Sequence, residues 1–274
     1  LNMQQGKYLI LNGKNILSGE TVISADNRSF RYGDGFFETM KMIDGRIILG
    51  DLHFERLFSS LQILQFEIPK YFAKEKLEEE VTGIAEKNKH GKLGRIRLTI
   101  FRGDGGLYDA VDNHPNYIIQ SWEMNPVNNE FNINGLVTDI FPYARKACDS
   151  FSHIKSNNYL PYVMGALWAR NHKLNDAFVL NMHNRIADAT IANIFIVKNG
   201  MIQTPSLDEG CVSGIIRRFL IEKFGGENIC IAETAITSED LQEADEIFLT
   251  NAGYGMRWVA NCGNKKYINK VSQE

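Results

Sequence analysis

The chain has 274 residues, 44% of them hydrophobic and 23% charged, with a formal net charge of -3. That is the composition of an ordinary folded protein, long enough for one large domain or two modest ones, and it excludes a disordered chain. So small a net charge gives no reason to expect nucleic acid or an anionic membrane surface as partner, which leaves small molecules.

In chain order, Tyr8-Leu9-Ile10-Leu11 reads as a strand ended by the Asn12-Gly13 turn signal. Phe36 to Ile43, the turn Asp44-Gly45 and Arg46-Ile47-Ile48-Leu49 read as a hairpin. Two helices follow: Asp51 is placed to cap the first, and Pro69 sits where the second would start. Arg95-Ile96-Arg97-Leu98-Thr99-Ile100 alternates polar and apolar residues, which predicts a strand with Arg97 on a polar face. The Asn-rich stretch 125–134 has little to bury and serves as a linker, giving domains 1–124 and 135–274. Beyond it, Leu160, Val163, Met164, Leu167 and Trp168 recur at helical spacing and predict a core-facing helix. Ala177 to Leu180 and Ala192 to Val197 read as strands, with Asn199-Gly200 as a hairpin turn.

Cys148, Cys211, Cys230 and Cys262 are scattered without a C-x-x-C pair and the six histidines are dispersed, so neither a disulfide framework nor a metal site is signalled. No apolar run reaches the ~20 residues that span a bilayer. Residues 1–6 lack a basic region followed by an apolar one and do not read as a secretory signal. The expectation is a reduced, cytoplasmic setting.

The pattern that carries chemistry is a lysine, a carboxylate and a helix start, in that order. Lys155 lies in Ser152-His153-Ile154-Lys155-Ser156-Asn157-Asn158-Tyr159-Leu160-Pro161, Asp188 in Ile186-Ala187-Asp188-Ala189-Thr190, and a glycine opens Gly214-Ile215-Ile216-Arg217. These are the groups needed to hold pyridoxal phosphate. An amine forms a Schiff base with its aldehyde, a carboxylate keeps its ring nitrogen protonated, and free N–H groups at a helix start receive its phosphate.

With Leu11-Asn12-Gly13-Lys14, Ile23 to Thr39, Leu52-His53-Phe54-Glu55-Arg56-Leu57 and Phe248-Leu249-Thr250-Asn251-Ala252, these segments resemble the fold-type IV pyridoxal-phosphate enzymes. That group holds branched-chain aminotransferases, D-amino-acid aminotransferases and 4-amino-4-deoxychorismate lyases. The resemblance covers nearly the whole chain. It implies an α/β (α+β), two-domain enzyme with the cofactor in the cleft between domains, the C-terminal one binding it. It also implies a homodimer; the expectation of no nucleic-acid or membrane partner rests on the charge and the apolar runs.

Carried over residue by residue, the resemblance makes Lys155 both Schiff-base residue and proton shuttle. Asp188 stands at the ring-nitrogen position, where the family usually carries glutamate. Arg56, the backbone N–H groups of Ile215 and Ile216, and the Thr250 hydroxyl fall at phosphate positions, while Arg217 braces rather than binds. Tyr32 and Arg97 match positions that reach the active site, often from a neighbouring subunit, and Arg97 suits a substrate carboxylate. Tyr159 and Asn251 are further substrate-binding candidates.

Three features favour the lyase, which releases pyruvate and leaves 4-aminobenzoate. The chain is short, Lys155 is followed by Ser156-Asn157-Asn158 without an extra residue, and Thr250-Asn251-Ala252 looks like the lyase form of its loop. Ile96-Arg97 and Phe37-Glu38-Thr39 suit an amino-acid aminotransferase equally well, and that is the alternative. A cofactor-binding protein without catalysis is the reading from another class, and the intact Lys155 argues against it.

Overall fold

A computed structural model describes residues 3–226 and 231–273, and Cys230 lies outside them. The chain divides into two compact units. One runs to Asn128 and includes Lys155–Asn158; the other takes Asn129–Ile154 and the chain from Tyr159 onward.

The first unit holds β1 (Tyr8–Leu11), β2 (Lys14–Leu17), α1 (Arg28–Tyr32), β3 (Gly35–Ile43), β4 (Arg46–Ile47), α2 (Gly50–Ile63), α3 (Lys74–Lys87), β5 (Leu93–Phe101) and β6 (Asn116–Glu123). Among the described residues these strands form an antiparallel six-stranded sheet in the order β2-β1-β6-β5-β3-β4. Its two tight hairpins turn at Asn12-Gly13 and Asp44-Gly45. All four residues have positive φ, the geometry that matches the right-handed twist of the strands and that glycine adopts without strain. β5 alternates as its sequence predicts. Ile96, Leu98 and Ile100 are wholly buried, while Arg95, Arg97 and Thr99 are half-buried on the other face.

Two details of this unit differ from expectation. The second hairpin arm stops at Ile47 because Leu49 turns to φ 55 and becomes the N-cap of α2, without a side-chain capping bond. Asp51 therefore lies inside the first turn rather than capping it. There it suits the positive end of the helix dipole and pairs with Lys74. α3 begins at Lys74, not at Pro69. The Pro69 carbonyl accepts from Phe72 N in a turn, a setting for which the fixed proline φ is equally suited.

The second unit holds β7 (Leu136–Lys146), α4 (Leu160–Asn171), β8 (Asp176–Asn181), β9 (Ile186–Ala189), β10 (Asn193–Lys198), β11 (Met201–Pro205), α5 (Ile215–Gly226), β12 (Ile231–Thr234), α6 (Ser238–Glu243), β13 (Glu246–Asn251), β14 (Gly255–Cys262) and β15 (Lys265–Lys266). Among the described residues they make a nine-stranded mixed sheet, β12-β11-β10-β13-β14-β7-β8-β9, with β15 paired to β14. β8, β10 and β13 are buried almost throughout, and their sequences are correspondingly near-continuous apolar runs. Within the Asn-rich stretch, Asn132 is tied to β14. Its side chain donates to Trp258 O at 2.9 Å and accepts from Trp258 N at 3.1 Å.

The largest departure concerns α4. Leu160, Val163, Met164 and Leu167 are exposed, so the stripe that predicts a core-facing helix points away from the sheet. Gly165 and Ala169 face inward instead, with Trp168 partly covered. The reason is clearance: a Cβ at 165 would lie 3.0 Å from Thr190 Cγ2 and 3.6 Å from Phe141. Only small residues let the helix approach so closely. No helix among the described residues is long and apolar enough to cross a membrane, and Cys148, Cys211 and Cys262 are free thiols.

Candidate active site

In the first unit the chemistry gathers on β3. Lys155–Asn158 lies along this strand near its start: Phe37 N donates to Lys155 O at 3.0 Å and Asn157 N to Gly35 O at 2.9 Å. Gly35 is required there, since a Cβ would meet Ile100 O at 2.4 Å and Asn157 Nδ2 at 2.9 Å. Asn157 Nδ2 then donates to Ser29 Oγ at 2.9 Å. Backbone pairing thus fixes the lysine, and its Nζ stands 4.6 Å from the centre of the Phe37 ring. The Arg97 guanidinium covers the same ring at 3.7 Å, steadied by a 3.1 Å bond from Nε to Thr99 Oγ1. Cross-strand register explains the meeting, because Phe37 pairs with Thr99 and Thr39 with Arg97.

Arg56 projects from α2 onto Glu38 of β3. Its Nε donates to Glu38 Oε1 at 2.7 Å and its Nη2 to Oε2 at 2.6 Å, and His53 Nδ1 lies 2.7 Å from Oε2. His53 and Arg56 are one helical turn apart, so both reach the same carboxylate. Burial alone would raise the Glu38 carboxyl, but the Arg56 charge and the His53 bond outweigh it and hold the pKa at about 2.

A pKa held below its ordinary value of 4.5 stabilises the fold above pH 4.5, and that stabilisation is lost as pH falls from about 4.5 to about 2. The stake is on the order of 3 kcal/mol. Denaturant melts across this window should show wild-type stability falling and Glu38→Gln, already weakened at pH 7 by its stranded arginine, falling less. Parallel pH dependence in the two proteins would exclude the assignment.

Tyr32, at the end of α1, accepts from Arg31 Nη2 at 2.7 Å, and its ring lies against the guanidinium groups of Arg28 and Arg31 and the ring of Tyr108.

In the second unit Asp188, on β9, is 2% exposed and accepts four hydrogen bonds. Oδ2 receives the Tyr162 hydroxyl at 2.7 Å, Val212 N at 2.9 Å and Lys146 Nζ at 3.2 Å; Oδ1 receives Asn193 Nδ2 at 2.9 Å. Asn193 connects this carboxylate to the start of α5. Its second amide hydrogen goes to Val212 O at 2.7 Å, and a Cβ at Gly214 would strike its Oδ1 at 1.8 Å. The first N–H groups of that helix, Ile215 and Ile216 among them, have no acceptor within the helix.

Asn193 is also the ladder partner of Thr250 on β13, whose buried hydroxyl has no hydrogen-bond partner. Orphan helix donors beside an unsatisfied buried hydroxyl are what a phosphate group would complete. Arg217 is occupied elsewhere, bonding Pro205 O at 2.8 Å and Glu233. Tyr159 is the half-buried N-cap of α4. Asn251 accepts from Gly253 N and Tyr254 N and donates to Ile191 O, which shapes the loop after β13.

Glu38, His53, Lys146, Tyr162 and Asn193 have no role assigned to them from the sequence; Glu38 and His53 stand there only within segments that match the family. The His53–Arg56 spacing on one helix was a usable signal for the first pair; the contacts to Asp188 had none, since apart from Asn193 the donors lie 24 or more residues away.

Comparisons with known proteins identify the family. A profile of the amino-transferase class IV family matches residues 35–262. A putative branched-chain-amino-acid aminotransferase of Methanocaldococcus jannaschii is 31% identical over 245 residues, 88% of this chain and 83% of its own length. The aminodeoxychorismate lyase of Bacillus subtilis is 29% identical over 248 residues, 89% of this chain and 83% of that one. Among solved structures, the branched-chain aminotransferase of Thermoproteus uzoniensis with norvaline superposes with a TM-score of 0.86 at 22% identity, covering 99% of this chain and 92% of that one, which gives the fold. The chain belongs to the class IV aminotransferase family, whose members are pyridoxal-phosphate-dependent transaminases and lyases.

Proposed function

We propose that this chain acts at the Cα of an amino substrate bearing a carboxylate, and that its activity is that of a 4-amino-4-deoxychorismate lyase. The observation that carries the reading is Phe37, whose ring gathers the Lys155 amine and the Arg97 guanidinium. Pyridoxal phosphate, when bound, supplies an aldehyde for an amine and a ring that draws in electrons. Lys155 moves the proton at the substrate Cα. Arg97 orients a carboxylate, for which a planar multi-donor cation is suited. Arg56, the N–H groups of Ile215 and Ile216, and the Thr250 hydroxyl hold the phosphate. Asp188 holds the proton at the ring nitrogen.

The lyase reading is supported by Lys155-Ser156-Asn157-Asn158, by Thr250-Asn251-Ala252 and by the Bacillus subtilis relative. A transaminase is the second reading, favoured by the Methanocaldococcus jannaschii relative. The test is pyruvate release from 4-amino-4-deoxychorismate beside amino-group transfer from branched-chain and D-amino acids to 2-oxo acids. Transfer without pyruvate release would replace the first reading by the second.

Arg56→Ala should weaken cofactor retention by roughly 1.5 to 3 kcal/mol, about 10- to 150-fold in affinity, and should affect turnover of cofactor-saturated enzyme less. Equal loss of cofactor from mutant and wild type on dialysis would remove Arg56 from the phosphate site.

We also propose a homodimer, with a second copy covering the exposed Leu160, Val163, Met164 and Leu167 of α4. Sedimentation should show two chains per particle, and Leu167→Glu should shift the protein toward monomer. A wild-type monomer at micromolar concentration would refute the proposal.

A further inference from the structure

The way Asp188 is held goes beyond its assignment as ring-nitrogen partner, on which this inference rests. A carboxylate offers about four acceptor directions, two on each oxygen. Oδ2 already takes three donors, Tyr162 Oη, Val212 N and Lys146 Nζ, one more than its two directions, and is saturated. Oδ1 takes Asn193 Nδ2 alone. One acceptor direction is therefore left, on Oδ1, and the four donors fix where it points.

The set closes on itself. Asn193 is pinned by its second bond to Val212 O. The Lys146 ammonium lies 5.1 Å from the centre of the Tyr162 ring whose hydroxyl it accompanies onto Oδ2. Burial first, and the Asp188 charge second, raise the Tyr162 phenol well above its ordinary range, so it remains a donor to the carboxylate. Lys146 is largely covered, with 13% of its side chain exposed, and Asp188 more so. Water screens such a pair little.

A unit positive charge 3.2 Å from Oδ2 opposes the field that the carboxylate exerts on anything facing Oδ1. We infer that Lys146 and Tyr162 are positioning residues for Asp188, leaving Oδ1 as its one open acceptor. Lys146 also offsets its charge, so that the ring nitrogen of bound pyridoxal phosphate keeps its proton less firmly than an unaccompanied carboxylate would make it. The shorter acid is thus fastened from behind by a tyrosine and moderated by a lysine.

The test uses holoenzyme reconstituted with pyridoxal phosphate labelled with 15N at the ring nitrogen, whose chemical shift separates neutral from protonated pyridine. It compares wild type, Lys146→Met, Tyr162→Phe and Asp188→Asn at one pH. Removing a neighbouring like charge should raise the ratio of protonated to neutral nitrogen about tenfold in Lys146→Met. Tyr162→Phe, which removes one donor from Oδ2, should move it the same way by less. Asp188→Asn should move it the opposite way.

If Asp188→Asn leaves the shift unchanged, Asp188 does not face the ring nitrogen, and the underlying reading falls. If Asp188→Asn moves the shift while Lys146→Met and Tyr162→Phe leave it where it was, the reading stands and the inference is overturned. Should Lys146→Met fail to fold, Lys146→Gln and Tyr162→Phe give the same discrimination.

Discussion

Lys155→Ala should lose the visible absorption that a lysine-bound cofactor gives and should turn over at least 10²- to 10⁴-fold more slowly, the usual worth of a positioned acid–base group. The expectation rests on how the residue is held. Its carbonyl accepts from Phe37 N and its amine stands over the Phe37 ring, so the backbone remains paired when the side chain is removed. The loss should therefore appear in chemistry and not in stability, and a thermal melt close to wild type is part of the prediction. Small added amines should restore a fraction of the lost rate, because the site would lack only an amine. Near-normal turnover without addition would contradict the reading of this chain as a lysine-dependent enzyme.

What the sequence made legible was what local rules decide. Asn12-Gly13, Asp44-Gly45 and Asn199-Gly200 are hairpin turns with positive φ at both residues, and dipeptides of this type specify such turns almost alone. β5 shows its two faces in its alternation. Lys155 and Asp188 stood out because their neighbours match a family order.

Long-range geometry was not legible. The amphipathic spacing of α4 locates an apolar face, but spacing cannot say whether that face meets this chain's own sheet; Gly165 and Ala169, one turn apart, carried the information that a close approach occurs on the other side. The Glu38 carboxylate meets Arg56 across a strand and a helix. The donors to Asp188 come from positions 5, 24, 26 and 42 residues away. No periodicity brings such residues together, since they meet only after the sheet of the second unit has formed.

Asp188→Asn should bind cofactor yet turn over roughly 10- to 1,000-fold more slowly at saturating cofactor, because a neutral amide cannot favour a protonated ring nitrogen as an ionised acid can. The structure adds a second expected effect. Every group against this side chain is a donor: the Tyr162 hydroxyl, Val212 N, Lys146 Nζ and Asn193 Nδ2. An amide has one accepting oxygen and would turn its own NH₂ toward donors. At least one buried donor would lose its acceptor, at a cost of about 1 to 3 kcal/mol, read as a lower denaturant midpoint.

Asp188→Glu, which restores the residue usual in the family, should be destabilised as well. The carboxylate is 2% exposed and fastened on both oxygens, so one more methylene must displace Tyr162 or Lys146, and overpacking of this kind costs about 1 to 3 kcal/mol. Turnover and urea midpoint measured on the three proteins separate the two effects. A glutamate variant as stable as wild type would mean that the donors around Asp188 are not fixed in place. An asparagine variant as fast as wild type would mean that the ring nitrogen is served by another group.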